Sequence, residues 1–323
     1  MLVSLIVYVY NSDKYLSRCL DSIASQDFDD YEVILIDDGS TDGSGAICDE
    51  FCKKINSDSN KSMAKVIHQE KKGLAASRNS GIEAADGEWL WFIDGKDYID
   101  TKALAALRER MKYAKGELYT FQYAKTDENG ENPECVILRY NQETVTIKND
   151  DDLRWNYTDR IFAGLDGWDS ANRLFSRDII VKNSLRFTDS SEVYSEDLSF
   201  LTEYMLFVDK SIFLVNFLYY YRTVNETGTG QSDDTTVLPR LFTLLERLYS
   251  KAKALGKKQL VKEFYMVCGS VLNSSIGSET AKLSNEEIGR EISEGIKNFE
   301  IGRHIKKAKK NLISAVHAGE LRK

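Results

Sequence analysis

Across the first hundred residues, short apolar runs rich in β-branched side chains alternate with stretches of helical spacing. Leu2–Val9, Glu32–Ile36, Lys65–His68 and Trp89–Ile93 read as buried strands. Between them, Asp13–Ser25 places Tyr15, Leu16, Cys19, Leu20 and Ile23 on one helical face. Ser40–Ile55 reads as a second helix, with Ser40 or Thr41 as its cap, and Gly73–Ala85 as a third, Ala-rich one. A βαβαβαβ order closes as a mostly parallel sheet with helices on both faces, because parallel neighbours need a crossover between them. The expected fold class is α/β and Rossmann-like. In such sheets ligands sit outside the carboxyl ends of the strands, so the residues that follow each strand carry the chemistry.

The rest of the chain is less regular. Ala103–Ala114 and Ser195–Tyr204 read as helices, Glu117–Lys125 and Ser211–Tyr221 as extended segments, and Asn149–Asp152 as an acidic loop or helix start. From Val237 onward the spacing is helical, and Pro239 marks a boundary. The expected division is residues 1–100 as a ligand-binding half, 101–235 as the second half of the same domain, and 236–323 as a C-terminal helical region. The composition, 42% hydrophobic and 29% charged, supplies a sizeable core and excludes global disorder. No run approaches the roughly 20 apolar residues of a membrane helix. The apolar N-terminus lacks a basic n-region and a cleavage site, so it reads as a first strand and not as a signal peptide. Five cysteines, with no metal-like pairing, read as free thiols in a reducing, cytoplasmic protein.

All four strand ends are polar: Tyr8-Val9-Tyr10-Asn11, then Asp37-Asp38-Gly39-Ser40-Thr41-Asp42, then His68 through Gly73 leading to Arg78, and Asp94-Gly95-Lys96-Asp97. Together they read as a nucleotide site. Asp37 or Asp38 can accept from a base N–H or ribose hydroxyls, Tyr10 can stack on a base, and Arg78 with Lys71 or Lys72 can neutralise a diphosphate. Asp94 stands where an acid can meet a sugar nucleotide or its metal.

These segments, with Val33-Ile34-Leu35-Ile36 before the paired aspartates and Gly73-Leu74-Ala75-Ala76-Ser77-Arg78-Asn79, resemble the family 2 glycosyltransferases over about residues 3–100. The resemblance implies a GT-A fold, a nucleotide-sugar donor (usually a UDP-sugar) and inversion at the anomeric carbon. It assigns uracil and ribose to Asp37 and Asp38. The candidate nucleotide contacts are Tyr8, Val9, Tyr10, Asn11, Asp37, Asp38, Gly73, Arg78 and Lys96. More thinly, Gly167–Phe175 is similar to an acceptor-half segment of the family, which makes Trp168 and Arg173 acceptor candidates. Ser195-Glu196-Asp197 resembles its Glu-Asp motif, with Asp197 as catalytic base and Glu196 orienting it or meeting the acceptor; a first-turn Glu-Asp also simply suits a helix dipole. Tyr219-Tyr220-Tyr221-Arg222 resembles the aromatic-Arg strand that follows.

Two positions depart from the family pattern. Tyr8 stands where the family usually has Pro, and Lys96 stands at the second acid of Asp-x-Asp-Asp. The resemblance implies Mn²⁺ or Mg²⁺ held by Asp94 and Asp97, and Lys96 puts that ion in question. It neutralises the diphosphate itself, points away from a weaker metal site, or marks a chain that binds nucleotide without transfer. A non-catalytic sugar-nucleotide-binding protein is therefore the first alternative function. A sugar nucleotidyltransferase is the second, but it would favour a Gly-rich basic loop after the first strand.

The net charge of −8 argues against nucleic acid as a partner. Arg303–Lys323 nevertheless holds seven Lys or Arg and one acid, leaving −14 on the remainder. Ile301, Ile305, Ala308, Leu312 and Val316 share a helical face there, flanked by Lys306, Lys307, Lys309 and Lys310. Such a helix either packs on the body with a solvated basic face or lies on an anionic membrane. The expected partners are a nucleotide sugar, a saccharide or lipid-linked acceptor, and through residues 300–323 a membrane surface, as for family 2 enzymes of the bacterial surface-polysaccharide type.

Overall fold

The structure, a computed structural model, describes residues 3–57, 63–136, 138, 144–162, 167–224, 237–273 and 301–317. The chain divides into two compact units. The first comprises Met1–Thr146, Asp169–Asp189 and Val208–Gly230, the second Ile147–Trp168, Ser190–Phe207 and Gln231–Lys323. Residues 101–235 thus contribute to both units.

Unit 1 is built on a sheet whose first half follows the expected alternation: β1 (Val3–Val9), α1 (Asp13–Ala24), β2 (Tyr31–Asp37), α2 (Ser44–Ser57), β3 (Ala64–His68), α3 (Leu74–Ala84) and β4 (Trp89–Asp94). Its second half holds β5 (Tyr98–Ile99), α4 (Ala103–Tyr113), β6 (Leu118–Thr126), β7 (Glu134–Val136), β8 (Thr144–Thr146), β9 (Arg173–Ser176), α6 (Arg177–Lys182) and β10 (Lys210–Arg222), numbered along the whole chain. The strand order is β3-β2-β1-β4-β9-β6-β10-β5, with β7 on β6 and β8 on β10. β1 pairs in parallel with both β2 and β4, and β2 in parallel with β3. β9 is antiparallel to both neighbours. That four-residue strand is too short to show period-two alternation, so it leaves no mark on the sequence pattern.

The helical crossovers between parallel strands cover both faces of the sheet, which explains the unbroken apolar wording of β1 and β2. On one face of β1, Leu5, Val7 and Val9 pack with Leu16, Cys19, Leu20 and Ile23 of α1 and Cys48 and Phe51 of α2. Each such side chain stabilises by roughly 1.5–3 kcal/mol when fully buried. On the opposite face α3 approaches so closely that a Cβ at Gly81 would lie 2.2 Å from Ile6 Cγ2. At the amino end of the sheet the buried Glu32 accepts from Ser4 Oγ at 2.6 Å and Asp86 N at 2.7 Å, and pairs with Lys65 at 3.2 Å.

The helix expected from Ser40 begins four residues later. Ser40 Oγ instead accepts from Asn11 N at 3.1 Å, and Thr41 N donates to Asn11 Oδ1 at 2.8 Å. Asp42 Oδ1 accepts from Ser44 N at the true start. The cysteines are free, with Cys19, Cys48, Cys52 and Cys268 buried and Cys135 exposed.

Unit 2 is helical. It contains α5 (Asp150–Trp155), a π-helical segment (Asn156–Ile161), α7 (Glu196–Met205), α8 (Val237–Ala254), α9 (Lys258–Lys262), α10 (Phe264–Asn273) and α11 (Gly302–His317). Asn149 Oδ1 caps α5 by accepting from Asp151 N and Asp152 N. Pro239 lies in the first turn of α8, where its missing N–H costs nothing. Glu203 of α7 is buried and forms ion pairs with Arg247, at 3.1 Å, and Lys251 of α8. In α11, Ile301, Ile305 and Ala308 are buried, while Lys306, Lys307 and Lys310 are exposed. Over these residues the apolar face packs inward, against α10. The side chains of Lys309, Leu312 and Val316, and residues 318–323, lie outside the described set. Among the described residues no helix is long and apolar enough to cross a membrane.

The close approach of α3 to β1 predicts that Gly81→Ala destabilises the protein by about 1–3 kcal/mol through overpacking. Equilibrium urea unfolding measures this as a lower midpoint at unchanged slope; an unchanged midpoint would contradict the packing described.

Candidate functional site

The register of the four parallel strands brings their carboxyl ends to one level. Val9 is paired with Asp37, Asp37 with His68, and Tyr8 with Asp94. The loops leave the sheet through matching bonds, Asp38 N to Val9 O at 2.9 Å, Gln69 N to Asp37 O at 3.0 Å and Gly95 N to Tyr8 O at 2.8 Å. The four polar segments therefore meet on one edge of unit 1.

Within that edge the two aspartates after β2 hold loops in place. Asp38 is fully buried. Its Oδ1 accepts from Gln69 Nε2 at 2.7 Å and Lys72 N at 2.8 Å, and its Oδ2 from Gly73 N at 2.9 Å. One carboxylate thus shapes the turn between β3 and α3. Gln69 also donates to Ser77 Oγ and accepts from Ser80 Oγ, tying the turn to α3. Gly39, at φ +73, passes so near that a Cβ would lie 2.9 Å from Lys71 N. Asp37 accepts from Ser40 N at 3.1 Å and pairs with His68 Nδ1 at 2.7 Å, while His68 Nε2 lies 3.3 Å from Asp49 Oδ1. The Asp37 hydrogen bond, opposed by partial burial, raises the His68 pKa above its usual value.

The more accessible part of the edge carries aromatic and cationic groups. Lys71 Nζ donates to Tyr10 OH at 2.8 Å and lies 4.0 Å from the ring centroid. The Arg78 guanidinium lies 4.9 Å from the centre of the Phe187 ring. Asn79 clasps the Phe187 backbone with two bonds of 2.9 Å. Neither Phe187 nor the roles of Gln69, His68 and Asn79 are apparent in the sequence, because their partners lie far along the chain. Tyr8 is half-buried among Asp38, Asp94 and Arg78. Burial and the two carboxylates push its phenol pKa up, so it stays protonated. Asn11 adopts φ 45, which Asn tolerates, and its side chain serves the loop after β2. Val9 is fully buried on the α1 side, so only its backbone faces this edge.

After β4, Asp94 Oδ1 accepts from Lys96 N at 2.9 Å. Asp97 is buried; its Oδ2 accepts from Tyr219 OH at 2.7 Å and its Oδ1 from Arg222 N at 2.8 Å. Burial, with the charge of Asp94, holds the Asp97 pKa well above the usual carboxylate range. Both Asp97 oxygens are committed to β10, and the side chain between the two acids in sequence, Lys96, is an ammonium, which cannot ligate a metal. Among the described residues no group of three His, Cys, Asp or Glu converges as metal ligands. With Asp97 so committed and Lys96 between the two acids, this turn offers a divalent ion at most the Asp94 carboxylate, a poor fit.

The remaining candidates divide between the units. Arg173, in β9, is 2% exposed; its guanidinium donates to Asn172 Oδ1 at 3.0 Å and to Asp169 O. Trp168, half-buried, belongs to unit 2. Glu196 and Asp197 also belong to unit 2, in the first turn of α7, where Ser195 Oγ caps by accepting from Leu198 N at 3.3 Å.

The raised His68 value has a direct readout. Its contribution to stability is complete below about pH 6.5, the unfolded value, and is lost as pH rises through the folded value. NMR titration of the His68 ring is expected to show a midpoint above about 6.5 that falls in Asp37→Asn. A midpoint at or below that value would contradict the pairing.

Residues 4–164 match the family model described as glycosyl transferase family 2. The chain is 34% identical over 231 residues to the putative glycosyltransferase EpsH of Bacillus subtilis, covering 68% of this chain and 60% of EpsH. It is 28% identical over 220 residues to the teichoic acid poly(glycerol phosphate) polymerase of Staphylococcus epidermidis, covering 68% of this chain and 28% of that protein. The chain therefore spans less than two thirds of either relative. Among solved structures, S. aureus TarS 1-349 in complex with UDP-GlcNAc is similar with a TM-score of 0.71 at 19% identity, covering 99% of this chain and 92% of that one. The fold is thus GT-A, and through residues 4–164 the chain belongs to glycosyl transferase family 2.

Proposed function

We propose that the chain is an inverting glycosyltransferase that moves a sugar from a UDP-sugar to a hydroxyl of a saccharide or lipid-linked acceptor, in the synthesis of a cell-surface polysaccharide or a teichoic-acid-like polymer. The observation that carries this reading is the convergence of the four polar strand ends on one edge of a family 2 domain. The UDP-GlcNAc bound by TarS supports a uridine donor, and the name of the S. epidermidis relative supports a surface polymer.

In this reading the base lies against Tyr10, and Arg78 meets the diphosphate from the first turns of α3. Asp37 and Asp38 hold the loops that form the nucleotide's surroundings. The acceptor hydroxyl attacks the anomeric carbon opposite the leaving group. Its proton passes to the Asp197 carboxylate, and the glycosidic bonding pair leaves on UDP, so a single displacement inverts the centre. Glu196 orients Asp197 or contacts the acceptor, and Trp168 serves the acceptor. The basic face of α11 suits an anionic membrane surface that carries such an acceptor, with the protein cytoplasmic and peripheral.

A panel of UDP-sugars assayed for UDP release tests the donor class. Asp197→Asn is expected to lower kcat by about 10²-fold or more with UDP affinity unchanged. Parent-like turnover in Asp197→Asn would remove the assigned base, and release of pyrophosphate from a nucleoside triphosphate and a sugar phosphate would point to a nucleotidyltransferase instead.

A further inference from the structure

The turn after β4 is held rigidly. Gly95 N donates to Tyr8 O at 2.8 Å, Lys96 N to Asp94 Oδ1 at 2.9 Å and Asp97 N to Asp94 O at 2.9 Å. From β10, Arg222 Nε donates to Lys96 O at 2.7 Å, and its guanidinium also reaches Glu128 O at 2.8 Å. The Lys96 backbone is therefore fixed from both sides, and the side chain starts from a preorganised position.

Of the two carboxylates in this turn, Asp97 cannot ligate a cation without giving up its bonds to β10. Asp97 is 6% exposed, and freeing either oxygen would strand the Tyr219 hydroxyl or the Arg222 N–H. Asp94 offers one carboxylate, already accepting one bond. A divalent ion at a diphosphate takes one or two carboxylates from the protein and its other ligands from phosphate oxygens and water; here Asp94 alone could serve, and Lys96, two residues on, adds a repelling charge. A diphosphate has the opposite requirement. An ammonium two residues beyond Asp94, with the protonated Tyr8 in register with Asp94 and Arg78 in the same cluster, is a set of donors and positive charge suited to phosphate oxygens.

We propose that Lys96 takes the place of the divalent cation at the donor diphosphate, so that donor binding and sugar transfer proceed without a metal. The inference rests on the donor-site reading above. As the bond between the anomeric carbon and the β-phosphate oxygen breaks, its electron pair goes to that oxygen. The Lys96 ammonium stabilises the negative charge that develops there, while the acceptor proton goes to Asp197. No metal, oxidant or further co-reactant enters the balance. A positive charge carried on a rigidly held backbone needs less reorganisation at the moment of bond cleavage than a solvent ion would.

The test is calorimetric titration of the full chain with UDP and with uridine, in EDTA and in Mn²⁺, alongside UDP release from the donor. For the parent chain, UDP affinity and turnover in EDTA are expected to lie within about threefold of those in Mn²⁺. Lys96→Ala is expected to weaken UDP about tenfold or more, the scale of one charge-assisted hydrogen bond, while leaving uridine unchanged. Lys96→Arg is expected to retain most of the affinity, and Lys96→Asp to bind UDP only when Mn²⁺ is added. UDP binding in Mn²⁺ but not in EDTA would overturn the inference and leave the donor-site reading intact. Parent-like UDP affinity in a folded Lys96→Ala would do the same. No UDP binding in either buffer would overturn both. The chelator comparison uses the parent chain, so it does not depend on the folding of any variant.

Discussion

Parallel pairing of β1 with both β2 and β4 is the constraint on which unit 1 depends. A parallel pair requires its connection to return across a face of the sheet, which places α1 and α2 on one side and α3 on the other. It also sends β1, β2, β3 and β4 out of the sheet at the same edge. The register then decides which side chains meet. Tyr8 falls beside Asp94, and Asp37 falls between Val9 and His68. Where the helix on the second face comes closest, only glycine fits, at Gly81 against Ile6.

Acidic residues at this edge act largely as fasteners. Asp38 forms the turn before α3, Asp37 joins the loop after β2 to His68, and Asp97 ties the turn after β4 to β10. Each uses both carboxylate oxygens on neighbouring donors, as a buried carboxylate must. What remains accessible is Tyr10 with Lys71, Arg78, the phenol of Tyr8, and the Asp94–Lys96 pair. A strongly acidic chain therefore presents an edge with several positive groups to a negatively charged ligand. The bulk charge of the body says little about the charge at this site, because the buried acids are spent on structure.

The first hundred residues were legible because buried parallel strands leave a coarse record. Four apolar runs and three helical spacings suffice to place β1 through β4 along the chain and to make their sheet parallel. The polar strand ends were legible for the same reason, since each follows a recognisable run. What could not be read was the partner of each polar group. Ser40 carries a good helix-start signal, yet its hydroxyl serves Asn11, 29 residues earlier. Asp97 resembles a ligand, but its partners stand 122 and 125 residues away in β10. Arg173 stands in a segment similar to the family's acceptor half; β9 places it, buried, between β4 and β6, and nothing in four residues announces an antiparallel strand. At α11 the spacing of Ile301, Ile305 and Ala308 marked the apolar face but not what covers it; these residues are buried.

The proposed UDP-sugar site lies where the four strand ends converge. Amide hydrogen exchange of the full chain, with and without UDP, tests it most directly. Slower exchange is expected on UDP addition at residues 10–11, 38–41, 70–78 and 94–97, with α9 and α10 unaffected. Unchanged exchange in those four segments at a saturating UDP concentration, or protection confined to unit 2, would contradict it.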